Sequence, residues 1–202
     1  MEPMEIEFRS MEIIESELKV PLPEDVAPII KRVIHATADF AYADCLRFTE
    51  GVVPLMRGML QRGAFIVTDT NMALAGINKA AAGKLGVKTA CFMALEDVAE
   101  EASARRVTRA RVSMERALEI PGPKLIVCGN APSFLAPLTE RGTAADIAVV
   151  GTPVGFVNVV DAKERLWQCG IPAIVSMGRR GGSNVAAAIV NALMYGIKGV
   201  RA

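Results

Sequence analysis

The chain has 202 residues, 51% of them hydrophobic and 22% charged, enough apolar material to bury a sizeable core. That composition excludes intrinsic disorder and favours one domain over residues 1–202. A formal net charge of +1 excludes a general nucleic-acid binder, which would carry a basic excess on one face. Residues 1–16 are acidic and hold no apolar signal core, and no apolar run nears the ~20 residues of a membrane helix. A cytoplasmic protein with no membrane contact is expected. Cys45, Cys91, Cys128 and Cys169 form no Cys-x-x-Cys pair, and one histidine cannot complete a Cys/His zinc site. No metal and no disulfide are therefore expected, and a reducing compartment fits the four thiols.

From the N-terminus, the first periodic segment is 24–40. There Val26, Ile29, Ile30, Val33, Ile34, Thr37 and Phe40 share one stripe at about 100° per residue, which predicts an amphipathic helix. A helical pattern at 51–61 follows, then an apolar, β-rich run at 64–68. The alternation continues as helix 72–85, strand 87–93, helix 103–118, strand 124–128 and helix 133–141. It closes with strand 147–150, helix 162–169, strand 173–177 and helix 183–195. The strands are continuous apolar runs, as in sheets covered on both faces. Such alternation predicts an α/β fold with a five-stranded parallel sheet and helices on both sides.

In open parallel sheets ligands bind beyond the carboxyl ends of the strands. Four loops at those ends are unusually polar and glycine-rich: Thr68-Asp69-Thr70-Asn71, Gly129-Asn130-Ala131-Pro132-Ser133, Gly151-Thr152-Pro153-Val154-Gly155-Phe156 and Gly178-Arg179-Arg180-Gly181-Gly182-Ser183. Such loops let backbone N–H groups and helix N-termini approach an anion. They also suit plain capping, by Thr70 or Asn71, by Asn130 or Ser133, and by Ser183. The last loop matches neither Gly-x-x-x-x-Gly-Lys-Ser/Thr nor Gly-x-Gly-x-x-Gly. For it, an ordinary turn and an anion site using Arg179 and Arg180 stand about even.

His35 is the only histidine, so any imidazole chemistry must use it. It falls nearly opposite the apolar stripe of its helix, beside Pro28, Arg32 and Asp39, which disfavours a core histidine. A solvated surface residue and a catalytic one both stay open. The second requires that this face meet a ligand or another subunit. An imidazole suits proton transfer because its ordinary pKa of about 6.5 gives access to both forms. The basic run Arg105–Arg111 reads as a solvated helix face paired with Glu100 and Glu101, or as a holder of acidic substrate groups. Asp69 and Asp97 follow strands and are candidate acids. No Ser/His/Asp order or Cys–His pair marks a hydrolase.

Taken together, the motifs resemble the precorrin-8X methylmutase family. Arg32-Val33-Ile34-His35-Ala36 is similar to the family's catalytic-histidine segment. The family's Gly-Asn-Ala-Pro-Ser/Thr turn is matched at 129–133, its Gly-x-Pro-Val-Gly-Phe-Val segment at 151–157 and its Gly-Arg-x-Gly-Gly-Ser loop at 178–183. The stretch from Asp69 to Gly76, the Thr108-Arg109 pair and the opening Arg9-Ser10-Met11-Glu12-Ile13-Ile14 fall in the same order. Each motif alone is weak, but their joint order over Phe8 to Leu193 is specific.

The resemblance implies a three-layer flavodoxin-like fold with a five-stranded parallel sheet, in a homodimer with active sites near the subunit interface. It implies an isomerase of cobalamin biosynthesis. The methyl group would move between adjacent carbons of ring C of precorrin-8X or its cobalt form, giving hydrogenobyrinate or cobyrinate. His35 would be catalytic, as proton donor or hydrogen-bond partner to the macrocycle. Arg109, Arg179 and Arg180 would hold substrate carboxylates, with Ser10, Thr68, Asn130 and Ser183 as hydrogen-bond partners. No organic cofactor is implied, and cobalt would enter only as part of the substrate. Two other readings compete: a corrinoid or tetrapyrrole carrier without activity, and a flavodoxin-like nucleotide-binding module. The imidazole argues against the first and the missing phosphate-loop fingerprint against the second.

Overall fold

A computed structural model of the chain describes residues 3–142 and 146–200. Its N-terminal part comprises helices α1 (Pro3–Glu17), α2 (Ala27–Thr37) and α3 (Tyr42–Cys45), strand β1 (Leu46–Phe48) and helix α4 (Val52–Gln61). Strand β2 (Phe65–Thr68), helices α5 (Asn71–Gly76) and α6 (Lys79–Lys84), and strand β3 (Thr89–Ala90) follow. Then come helices α7 (Glu96–Arg105) and α8 (Arg109–Glu119), strand β4 (Lys124–Cys128) and helix α9 (Pro132–Arg141). The chain continues with β5 (Ile147–Gly151), α10 (Val159–Gln168), β6 (Ala173–Ser176) and α11 (Ser183–Tyr195).

The sheet has six strands in the order β1-β6-β5-β4-β2-β3, and it is mixed, because β1 runs antiparallel to β6. This corrects the expectation of a purely parallel five-stranded sheet. The extra strand is only three residues, Leu46-Arg47-Phe48, with one of them exposed. So short a segment carries no periodic signal. At the other edge, β3 keeps two residues of the run 87–93, since only Thr89 and Ala90 pair with β2.

The central strands are buried on both faces, as their unbroken apolar sequences require. On one side Ile66, Leu125, Val127, Ala148, Val150 and Ile174 pack beneath α2, α4 and α11. On the other, Val67, Ile126, Cys128, Val149 and Val175 pack against α8, α9 and α10. Three layers result. The α2 stripe does go inward: Ile29, Ile30, Val33 and Ile34 are buried against α11.

Several boundaries move for local reasons. The 24–40 pattern shortens to α2 because Ala38 adopts the left-handed conformation (φ 52°), ending the helix. The 72–85 pattern splits because the Asn78 side chain caps a second helix, accepting from the Ala81 N–H. The 103–118 pattern reduces to α8, because Arg106 turns left-handed (φ 53°) and the Thr108 side chain caps α8, while α7, which ends at Arg105, has no counterpart among the expected elements. The helix α1 carries no strong apolar stripe and was not expected.

Candidate active site

Because β2, β4, β5 and β6 are parallel, their carboxyl ends open on one edge of the sheet, and the four polar loops meet there. Glycine permits the approach. A Cβ on Gly129 would stand 2.7 Å from Cα of Ser183, and one on Gly181 would stand 2.2 Å from the carbonyl oxygen of Thr152. The loop after β4 thus touches the start of α11, and the loop after β6 touches the loop after β5. The Gly182 N–H donates to the Thr152 carbonyl at 2.9 Å. The hydroxyls of Thr70 and Ser183 share a 2.8 Å hydrogen bond, which ties in the loop after β2.

The loop after β4 is organised by Asp69, a fully buried carboxylate. It accepts the N–H groups of Gly129, Asn130 and Ala131 at 2.9, 2.7 and 2.7 Å, with the Cys128 thiol at 3.5 Å. Burial and this carboxylate push the Cys128 thiol well up. Two expectations are corrected. Asp69 is no free acid, and the three N–H groups of this loop are not available to an anion. Asp97 is likewise engaged, by Arg116, whose guanidinium holds its carboxyl below the usual range. Capping also differs from expectation at two helices. Ala131 precedes α9 with Pro132 in the first turn, and Gly182 precedes α11, so Ser183 lies inside the helix with its hydroxyl turned to Thr70.

The loop after β6 carries the two arginines. Its carbonyls face the protein body. Lys163 Nζ donates to Gly178 O at 2.9 Å and Arg180 O at 2.6 Å, and Ser176 Oγ donates to Arg180 O at 2.8 Å. The Tyr42 hydroxyl donates to Gly181 O at 3.4 Å, and its burial pushes its pKa up to about 12. Arg180 reaches sideways: its Nε donates to Asp39 at 2.8 Å, and that bond lowers the Asp39 carboxyl below its ordinary value. Arg179 lies over the Phe156 ring at 5.4 Å.

The Asp39–Arg180 pair joins this loop to the end of α2. His35 stands in the last turn of that helix, exposed, four residues ahead of Asp39. The stop is firm, since Thr37 Oγ1 donates to Val33 O, the Asp39 N–H donates to Thr37 Oγ1, and Asp39 Oδ1 accepts the Ala41 N–H. The helix end that bears His35 is thereby held at the loop edge of the sheet.

The remaining candidates divide. Asn130 is exposed on the loop that Asp69 shapes, and Arg109 is exposed next to Thr108, whose hydroxyl donates to Ser133 of that loop at 3.2 Å. Arg105 and Arg111 are taken up by Glu101, Glu115 and Glu140. Among the described residues, no carboxylate pairs with Arg109 or Arg179. Thr68 is buried and donates to the carbonyls of Thr70 and Ala90. Ser10 is not brought to the cluster within one chain. Its hydroxyl donates to Ile6 O, and its neighbour Met11 shares a groove with Tyr195 and Gly196, at the far end of α11. Another groove, of about 510 Å³, lies between α9 and α10 and opens at Thr108 and Ser133. His35 does not line it, so the imidazole faces open solvent in the single chain.

Sequence reasoning missed Lys163, Tyr42 and the structural use of Asp69. One signal was present for Lys163, which shares a helical face with Val159 and Leu166, an apolar stripe interrupted by a lysine.

Fold and geometry together define an α/β protein whose single histidine is exposed in the last turn of α2, a helix end that Asp39 and Arg180 join to a loop at the carboxyl edge of the sheet. A family model described as CbiC, precorrin-8X methylmutase, matches residues 5–196. The cobalt-precorrin-8 methylmutase of Salmonella typhimurium is 40% identical, over 98% of this chain and 97% of that protein. The precorrin-8X methylmutase of Pseudomonas aeruginosa is 34% identical over 85% of each. A crystal structure of precorrin-8X methylmutase from Thermus thermophilus superposes with a TM-score of 0.87 at 35% identity, covering 95% of both chains. The chain belongs to the precorrin-8X methylmutase family, and it is an isomerase that moves a methyl group in cobalamin biosynthesis.

Proposed function

We propose that the chain acts on precorrin-8X or cobalt-precorrin-8, shifting a methyl group between adjacent carbons of ring C to give hydrogenobyrinate or cobyrinate, with His35 as the catalytic residue. The observation that carries this reading is the exposed His35, one turn ahead of the Asp39–Arg180 pair on the loop edge. The migration is intramolecular and redox-neutral. The conjugated ring redistributes its own electrons, and the protein need only lend a proton, recover it and hold the ring still. His35 lends the proton. Arg179 and Arg109, with no acidic partner among the described residues, meet the peripheral carboxylates, and Arg180 does so while anchored to Asp39. Asn130 offers its exposed amide, while Thr68 and Ser183, whose hydroxyls are engaged within the protein, serve through the loops they brace. Cobalt, when present, arrives inside the substrate.

A homodimer belongs to the same proposal. Phe156 and Val157 are 82% and 76% exposed beside Arg179, an apolar tip that gains from burial. A second chain across this edge would close the open face before His35, and Ser10 would reach a substrate only from such a partner. The five parallel strands keep the flavodoxin-like order, and we read β1 as an addition to that plan. Among the described residues no helix is long and apolar enough to cross a membrane, and a cytoplasmic location is proposed with the biosynthetic role.

The test is incubation of the purified protein with precorrin-8X and, separately, its cobalt form, following the visible spectrum. Wild-type protein is expected to convert at least one of them and His35→Ala neither, while the variant keeps its stability within about 0.5 kcal/mol because the side chain is exposed. A bound but unchanged chromophore with wild type would turn the reading to a carrier.

A further inference from the structure

We propose that Lys163 is a positioning residue for the arginine loop, setting Arg179 and Arg180 where they receive the substrate's carboxylates. This rests on the loop being the carboxylate-binding element described above.

The starting observation is an ammonium where the fold calls for a hydrocarbon. Lys163 shares the inward face of α10 with Val159 and Leu166, and it is 0% exposed. A buried ammonium is tolerated when its protons find acceptors. Among the described residues, no carboxylate pairs with it. Its acceptors are the carbonyls of Gly178 and Arg180, both in one loop. These two carbonyls flank the arginine pair. Since each peptide is planar, fixing them sets the backbone on either side of Arg179 and Arg180 and turns the N–H groups of Arg179 and Gly181 away from Lys163. Ser176 reinforces the second carbonyl, and the Gly155 N–H reaches the Arg179 carbonyl at 3.4 Å.

The charge has a use of its own. Burial lowers the Lys163 pKa to about 8, so it stays mostly cationic at neutral pH. The Cys45 and Cys128 thiols near it are pushed up by burial and remain neutral there. The loop that faces a polyanion therefore has a positive charge beneath it as well as two above.

The test compares wild type, Lys163→Met, Arg179→Ala and the double variant, with kcat and KM measured on whichever of precorrin-8X and its cobalt form the wild type converts, and melting followed separately. Methionine keeps an unbranched stem and removes the donor. In Lys163→Met, KM is expected to rise on the order of tenfold with kcat largely kept. Lys163→Arg should restore part of it. The rise should shrink in the Arg179→Ala background, because both changes then remove the same contact. A lysine that only supports the core would lower the melting temperature and leave KM unmoved, or shift KM equally in both backgrounds, and either result overturns the proposal. If Lys163→Met does not fold, Lys163→Gln, a shorter neutral donor that cannot reach both carbonyls, decides: a raised KM at unchanged kcat supports positioning, and an unchanged KM refutes it. Wild-type protein that leaves both precorrin-8X and its cobalt form untouched would sink the underlying reading and this proposal with it. Conversion with an unaltered KM in Lys163→Met would sink the proposal alone.

Discussion

Two buried charges of opposite sign shape the loop edge, and backbone groups answer both. Asp69 gathers three N–H groups, while Lys163 gathers two carbonyls. Removing either side chain leaves buried polar groups without partners, which costs more than the hydrogen bonds themselves contribute. Asp69→Ala is expected to destabilise the chain by about 3 kcal/mol in urea unfolding, and Asp69→Asn by less, because the amide oxygen still accepts. A loss under about 1 kcal/mol would mean that water replaces the carboxylate. The location of His35 was legible in the sequence, since a helical stripe fixes which residues point outward. The use of Asp69 was not. Its partners lie some 60 residues along the chain, and backbone N–H groups have no sequence identity to notice.

Elements rather than residues bring the four loops together, and that much the sequence did carry. Parallel strands place every strand-to-helix loop on one edge, so recognising the strand runs located that edge before any side chain was placed. What escaped were short segments and two helices, α1 and α7, without a strong apolar stripe. A three-residue strand and a four-residue helix lie below the length at which periodicity says anything. The resolution of 72–85 into a helix pair, and the later start of the helix expected at 103, turned on caps inside apparently continuous patterns. The glycines of the loops were noticed as turn residues, yet their tighter role is steric. Gly181→Ala is expected to part the loops after β5 and β6, since its methyl group would meet the Thr152 and Pro153 carbonyls at 2.2 and 2.8 Å. Conversion of substrate should fall at least tenfold, more than stability predicts, as a displaced loop misplaces both arginines. Activity equal to wild type would show that the loop yields without consequence.

At the scale of the whole molecule, the open face before His35 and the apolar tip at Phe156 make the same demand for a second chain. Sedimentation should give twice the chain mass of 21.5 kDa. Phe156→Asp should shift the population towards the single chain and lower turnover together, because burying a carboxylate at an interface is costly. A wild-type protein that sediments as a single active chain would refute the shared site.

The packing of α2 on α11 has a consequence of another kind. The stripe Ile29, Ile30, Val33 and Ile34 finds its cover in Val185, Ile189 and their neighbours, which the ribosome delivers well over a hundred residues later. Throughout synthesis that stripe stays exposed to water and to other nascent chains. Such distant pairing slows folding and prolongs the exposure of this apolar surface, although the helix that bears His35 is among the first to emerge.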